Sequence, residues 1–101
     1  MSDKYRNIEL TPEERAACLL EELSLDEKVA QLNCVFPFDQ IRYDFEEISE
    51  QTKYGIGQVS TLEMRRMESL DEVVQWQRKA QTIVMKNSPH NIPAIFHMEG
   101  L

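Results

Sequence analysis

The sequence is short of basic residues, of cysteine and glycine, and of long apolar runs, and each shortage removes a class of function. Eleven Lys and Arg stand against 18 Asp and Glu, a net charge of −7 over 101 residues. Phosphate backbones and anionic membranes are held by clustered Lys and Arg. Here acidic neighbours dilute the basic pairs Arg65-Arg66 and Arg78-Lys79. Neither a nucleic-acid nor a membrane partner is expected, and the acidity serves solubility. No stretch approaches the roughly 20 apolar residues of a transmembrane helix. The polar start, Met1 to Asn7, has no apolar signal core behind it. Two cysteines, Cys18 and Cys34, are too few for a disulfide framework. They read as small hydrophobes in helices, kept reduced in a cytoplasmic protein. With three glycines there is no phosphate-cradling loop either: Gly55-Ile56-Gly57 lacks the third glycine and the helix that should follow.

What remains is enough for one modest core. Residues 1–10 form a polar amino-terminal segment and residues 11–101 one domain without repeats or linkers. Thr11-Pro12-Glu13-Glu14 combines a capping threonine, a proline at the first helical position and a capping-box glutamate. Ala16, Leu19, Leu20 and Leu23 follow at helical spacing and predict one apolar face. Ser24-Leu25-Asp26-Glu27 is a second capping box, so a shorter helix should start at a sharp corner, with Leu25, Val29 and Leu32 as its apolar face. From Cys34 to Gln40 the periodicity breaks, and Phe36-Pro37-Phe38-Asp39 reads as a loop with its aromatics turned inward. Asp44 to Tyr54 is helical again, with Asp44 and Glu47 as cap, Phe45 and Ile48 on one side, and Gly55 closing it in a left-handed conformation.

Ile56 to Thr61 fits a short buried strand with a close backbone contact at Gly57. Ser69-Leu70-Asp71-Glu72 is a third capping box and opens the longest helix. Val73, Trp76, Ala80, Ile83 and Val84 share its inner face, while Gln75, Arg78 and Lys79 look outward. Lys86 suits the helix carboxyl end, and Asn87-Ser88-Pro89 stops it. Ile92-Pro93-Ala94-Ile95-Phe96-His97-Met98-Glu99 then reads as a buried parallel strand ending in a carboxylate. Strand, helix and strand make a βαβ unit with parallel, right-handed pairing.

Alternation places Ile95, His97 and Glu99 on one face of that strand, with Phe96 and Met98 turned to covering helices. The carboxyl ends of parallel strands are where α/β folds carry their chemistry. Glu99 can accept hydrogen bonds from a polyhydroxylated ligand with His97 beside it. The alternatives are a solvated strand end and a hydrogen-bonded core histidine. Zinc takes three or four ligands, and His90, Cys18 and Cys34 show no ligand spacing, so no metal and no cofactor are expected. A paired-carboxylate hydrolase needs a second acid facing Glu99. Asp44, Glu46 and Glu47 lie in what reads as a solvated helix.

Three blocks of the chain, in order, resemble the amino-terminal part of glycoside hydrolase family 3, the β-glucosidase and β-xylosidase family. Glu22 to Leu32 is similar to its opening helix corner, Gly55 to Ser60 to its first barrel strand, and Ile92 to Gly100 to its second strand, which starts at Ile-Pro and ends at an acidic residue. Gln77 sits in the crossover helix where the family commonly has a glutamine. The resemblance covers roughly residues 11 to 101 and implies an α/β fold: amino-terminal helices plus one βαβ unit, the incomplete start of a (β/α)8-type, TIM-like barrel. It implies an exo-acting retaining β-glycosidase acting on a carbohydrate substrate, a β-xyloside or β-glucoside. Glu99 then takes the position of the acidic residue that binds sugar hydroxyls, with His97 supporting it. The glucosidases usually have Asp there, and the longer Glu favours a pentose. No catalytic residue falls within the 101 residues, since the family's nucleophile and acid/base lie further on. The fragment alone is expected to be inactive, its site begun here and completed elsewhere. A non-catalytic helical interaction module, binding a partner through Trp76 and the apolar helix faces, is the competing expectation.

Overall fold

A computed structural model of the chain describes residues 3–35, 45–61 and 67–98. A turn of 3-10 helix at Lys4–Arg6 leads into α1 (Pro12–Glu22), α2 (Leu25–Gln31), β1 (Cys34–Val35), α3 (Phe45–Gln51), β2 (Gln58–Ser60), α4 (Leu70–Asn87) and β3 (Ile95–His97).

The helix starts follow the capping chemistry. Thr11 Oγ1 accepts the Glu14 N–H at 3.2 Å while the Glu14 carboxylate accepts the Thr11 N–H at 2.8 Å. Ser24 and Glu27 form the same reciprocal pair, both bonds at 3.2 Å. The third box is only half made. Ser69 Oγ accepts the Glu72 N–H at 3.1 Å, but the Glu72 carboxylate takes the N–H of Glu68 at 3.0 Å. The cause is the backbone at Ser69, whose φ of −145° differs from the −65° at Thr11 and turns its own N–H away from the helix. Helix α4 ends where Ser88 takes an extended conformation and its N–H closes on the Val84 carbonyl at 3.0 Å.

The strands form one parallel sheet in chain order, β1-β2-β3. Cys34 pairs with Gln58 and Gln58 with Ile95; Val35 pairs with Val59 and Val59 with Phe96; Ser60 pairs with His97. Side chains alternate across a strand, so Val35, Val59 and Phe96 share one face and Cys34, Gln58, Ser60, Ile95 and His97 the other. The core lies on the first face. Val59, Ile48 of α3, and Trp76, Ala80 and Val84 of α4 are buried there, and Trp76 meets Phe96 with ring centroids 6.0 Å apart. Full burial of an Ile or Val side chain stabilises by about 1.5–3 kcal/mol. Polar contacts seat α3 on α4: Asn87 Nδ2 donates to the Ser49 carbonyl at 3.0 Å, and Lys79 Nζ lies 4.2 Å above the Phe45 ring.

Several expectations change. Residues Cys34 and Val35, read as the edge of a loop, form a strand, so the strand at Gln58–Ser60 is second rather than first. Two residues are too short to show periodicity. The aromatics expected to tuck inward at 36–39, and the cap at 44, lie outside the described residues. The helix expected to Tyr54 stops at Gln51, with Gly55 left-handed at φ 87° in the turn after it. Strand β3 is less buried than its apolar letters suggest, with Ile95 67% exposed, because β2 is its one neighbour among the described strands. Met98, expected against a helix, is exposed.

The apolar faces of the first two helices are also open. Helix α1 buries no residue, Leu20 is exposed, and on α2 Leu25, Val29 and Leu32 are 76%, 50% and 88% exposed. Periodicity marks a face fit for burial; it does not supply what covers it. The molecule measures 43 × 25 × 25 Å with a radius of gyration of 15.0 Å, against about 13 Å for a compact chain of this length.

At one point α2 presses on the sheet, as expected at Gly57. A Cβ there would collide with the Gln31 carbonyl oxygen and lie 2.8 Å from its carbon. Both neighbours are backbone and cannot swing aside. Gly57→Ala should therefore destabilise the fold by about 3 kcal/mol, measured by denaturant unfolding; a loss under half that would mean α2 can lift off the sheet freely.

Candidate functional site

The candidate site lies on the sheet face that carries Cys34, Gln58, Ser60, Ile95 and His97. Helices α3 and α4 occupy the opposite face, and Cys34, Gln58 and Ile95 are exposed. Strand β3 is fixed from two sides. At its start the Gln81 side chain imitates a neighbouring strand: Nε2 donates to the Ala94 carbonyl at 3.0 Å, and Oε1 accepts the Ala94 N–H at 3.0 Å. At its end the His97 carbonyl accepts both the N–H and the hydroxyl of Thr61, each at 2.8 Å. The carboxyl end of β3 is thereby tied to the residue just beyond β2.

His97 is half-buried, and its Nε2 lies 3.4 Å from Cys34 Sγ. The sheet makes this pair: 63 residues apart in sequence, the two meet across β2. A thiol can donate only if Nε2 carries the free lone pair, which places the ring proton on Nδ1. The other acceptor within reach of the thiol, the Val35 carbonyl, is further off at 3.6 Å. His97 therefore reads neither as a buried core histidine nor as a solvated one. Glu99, the expected ligand of sugar hydroxyls, lies outside the described residues, as do the side chains of Asp44, Glu46 and Glu47.

Among the described residues no three His, Cys, Asp or Glu side chains converge to hold a metal ion. His90 has a structural place instead. Its ring is nearly buried, with Nε2 3.4 Å from the Glu27 carboxylate and its edge against Tyr5. A cavity of about 450 Å³ opens beside it, walled by Arg15, Leu19, Met85 and Ile92. It sits at the amino-terminal end of β3, away from the candidate site. On its wall Arg6 donates to the Tyr5 hydroxyl at 3.2 Å, and that bond raises the guanidinium pKa, keeping the charge in place.

Two functional residues were not legible in the sequence. Cys34, taken for a small hydrophobe, is an exposed strand residue beside His97. Gln81, one turn beyond the Gln77 that the family resemblance singles out, is the glutamine that bonds the strand. The available signal was its position: four residues on from Gln77, in the last half of a helix whose inner face is otherwise apolar.

No protein-family model matches the sequence, and neither a curated protein nor a solved structure matches it. The resemblance to glycoside hydrolase family 3 thus rests on the three sequence blocks.

Replacing Gln81 by Met keeps the length of the side chain and removes both bonds, leaving the N–H and C=O of Ala94 to find other partners. The expected cost is about 1–3 kcal/mol, or roughly 4–8 °C in Tm per kcal/mol for a domain of this size. Hydrogen exchange at Ala94 and Ile95 should accelerate in the same variant; unchanged protection there would show that Gln81 does not hold the strand.

Proposed function

We propose that this chain supplies the start of a (β/α)8-type barrel, with β1 as a strand ahead of the two that the resemblance assigns, in a retaining, exo-acting β-glycosidase that hydrolyses the O-glycosyl bond of a β-xyloside or β-glucoside. The observation that carries the reading is the meeting of Cys34 and His97. The register partner of Cys34 two strands away is Ile95, yet Cys34 touches His97, two residues further along. An eight-stranded barrel of shear eight staggers by about one residue per strand, and each interior layer takes side chains from alternate strands. The pair has that offset and that alternation. Chain-order strands with both crossover helices on one face add support, since a doubly wound sheet reverses its strand order and is covered on both faces.

In this reading the Cys34–His97 face is the barrel interior, and Glu99 stands at the carboxyl end of β3 to accept hydrogen bonds from the substrate's hydroxyls. Retaining hydrolysis uses two carboxyl groups about 5 Å apart. One carboxylate does not meet that requirement, so the 101 residues alone should turn over neither substrate. Glutamate in place of the shorter aspartate reaches further into the pocket and crowds a hydroxymethyl group, which favours a pentose. Free thiols at Cys18 and Cys34 fit a cytoplasmic setting.

The interaction-module reading loses Trp76, which is 3% exposed and packed in the core. It keeps one observation of its own, the open Leu25, Val29 and Leu32 face of α2.

The test joins this chain to the strands that close the barrel. Aryl β-xylosides should be cleaved with retention of anomeric configuration, followed by NMR of the first-formed sugar, and in preference to β-glucosides. Glu99→Ala should lower kcat/KM by about 10²–10⁴-fold, the loss of two hydrogen bonds to a charged acceptor at roughly 1.5–3 kcal/mol each. A clear glucoside preference would overturn the pentose assignment. Absence of glycoside hydrolysis, or inversion, would overturn the family reading.

A further inference from the structure

We infer that Cys34 and His97 form a reactive thiol–imidazole pair whose co-reactant is a small peroxide. The assignment rests on the exposed sheet face of this chain and stands apart from the barrel reading, in which that face turns inward. Three observations carry it. Sγ and Nε2 lie 3.4 Å apart, within hydrogen-bonding reach for sulfur. The cysteine is exposed, so a small molecule can approach the sulfur from the open side of the sheet. The imidazole is half-buried, and the backbone carbonyl of His97 is bonded twice by Thr61 at 2.8 Å, which fixes the strand that carries the base while the nucleophile stays accessible. A nucleophile within hydrogen-bonding reach of a base is the arrangement that activates thiols.

The chemistry balances without a metal or a further reductant. Cys34 gives its proton to His97 Nε2, and the thiolate attacks one oxygen of hydrogen peroxide. The S–O bond forms as the O–O bond breaks. The departing hydroxide takes the proton from the imidazolium and leaves as water. Sulfur is oxidised by two electrons to a sulfenic acid, the first and reversible step of cysteine oxidation, and the peroxide is reduced. Cys18, half-buried on α1, provides an internal comparison within the same chain.

The experiment exposes the folded chain to limiting hydrogen peroxide with dimedone present to trap sulfenic acid, and quantifies each cysteine by peptide mass spectrometry. Cys34 should be labelled about tenfold faster than Cys18, and faster in the folded chain than in denaturant, because only folding brings His97 to it. His97→Asn should bring the Cys34 rate down to that of the denatured chain, with Trp76 fluorescence confirming that the core is intact. Equal labelling of the two cysteines, or a Cys34 rate in the folded chain no higher than in denaturant, overturns the inference. So does a folded His97→Asn variant that reacts as fast as the parent. Should that variant fail to fold, the folded-against-denatured comparison on the unaltered chain still decides.

Discussion

The approach of the α2 carboxyl end to the backbone of Gly57 is the constraint on which the rest of the architecture depends. Gly57 donates its N–H to the Ala30 carbonyl at 3.2 Å and accepts the Ile95 N–H at 2.9 Å, and the next residue, Gln58, donates to Asn33. Three elements far apart in sequence therefore meet at one peptide. Helix α2 delivers the chain directly into β1, β1 pairs with β2, and β2 positions β3. A side chain of any size at that point would push α2 from the sheet and take β1 with it. A glycine at the entry to a strand gives up side-chain packing and has more entropy to lose; here the weakness is offset by the contact it permits.

What could be read from the letters follows from how far each signal reaches. Capping boxes are local, and all three helix starts they marked are present. Where one departed, at Ser69, the cause was a single backbone angle that residue types do not encode. The inner face of α4 was legible because 18 residues give the 3.6-residue period room to show. The Cys34-Val35 strand was not, because two residues give a period of two no room at all. The parity of the last strand placed His97 and Ile95 together on the open face, yet the partner of His97 comes from a strand two positions away in the sheet. That partnership is a property of sheet order and stagger, which no local pattern contains.

The open apolar faces of α1 and α2 illustrate the same limit from another side. Leu25, Val29 and Leu32 repeat as a buried face should. In the structure they are exposed. Their spacing records a preference for apolar surroundings worth about 25 cal/mol per Å², and among the described residues that preference is unmet. The sheet is in the same position: one face holds the core, and on the other Cys34, Gln58 and Ile95 are exposed. An arrangement capped at the starts of α1, α2 and α4 and packed on one side of its sheet thus leaves apolar surface open at both ends of α2.

The Gln81 amide has a consequence beyond the two bonds it makes. Side chains on a strand alternate, so a slip of one residue exchanges its two faces. Moved by one position, β3 would turn His97 into the core against Trp76 and put Phe96 and Met98 beside Cys34. The sheet ladder alone resists such a slip on one side, with three paired residues. Gln81 resists it on the other, because its donor and acceptor match one backbone position, Ala94, and a neighbouring residue would present its groups the opposite way. A side chain on the back of the sheet thereby acts as a parity lock, selecting which of the last strand's residues stand beside Cys34 and which beside Trp76.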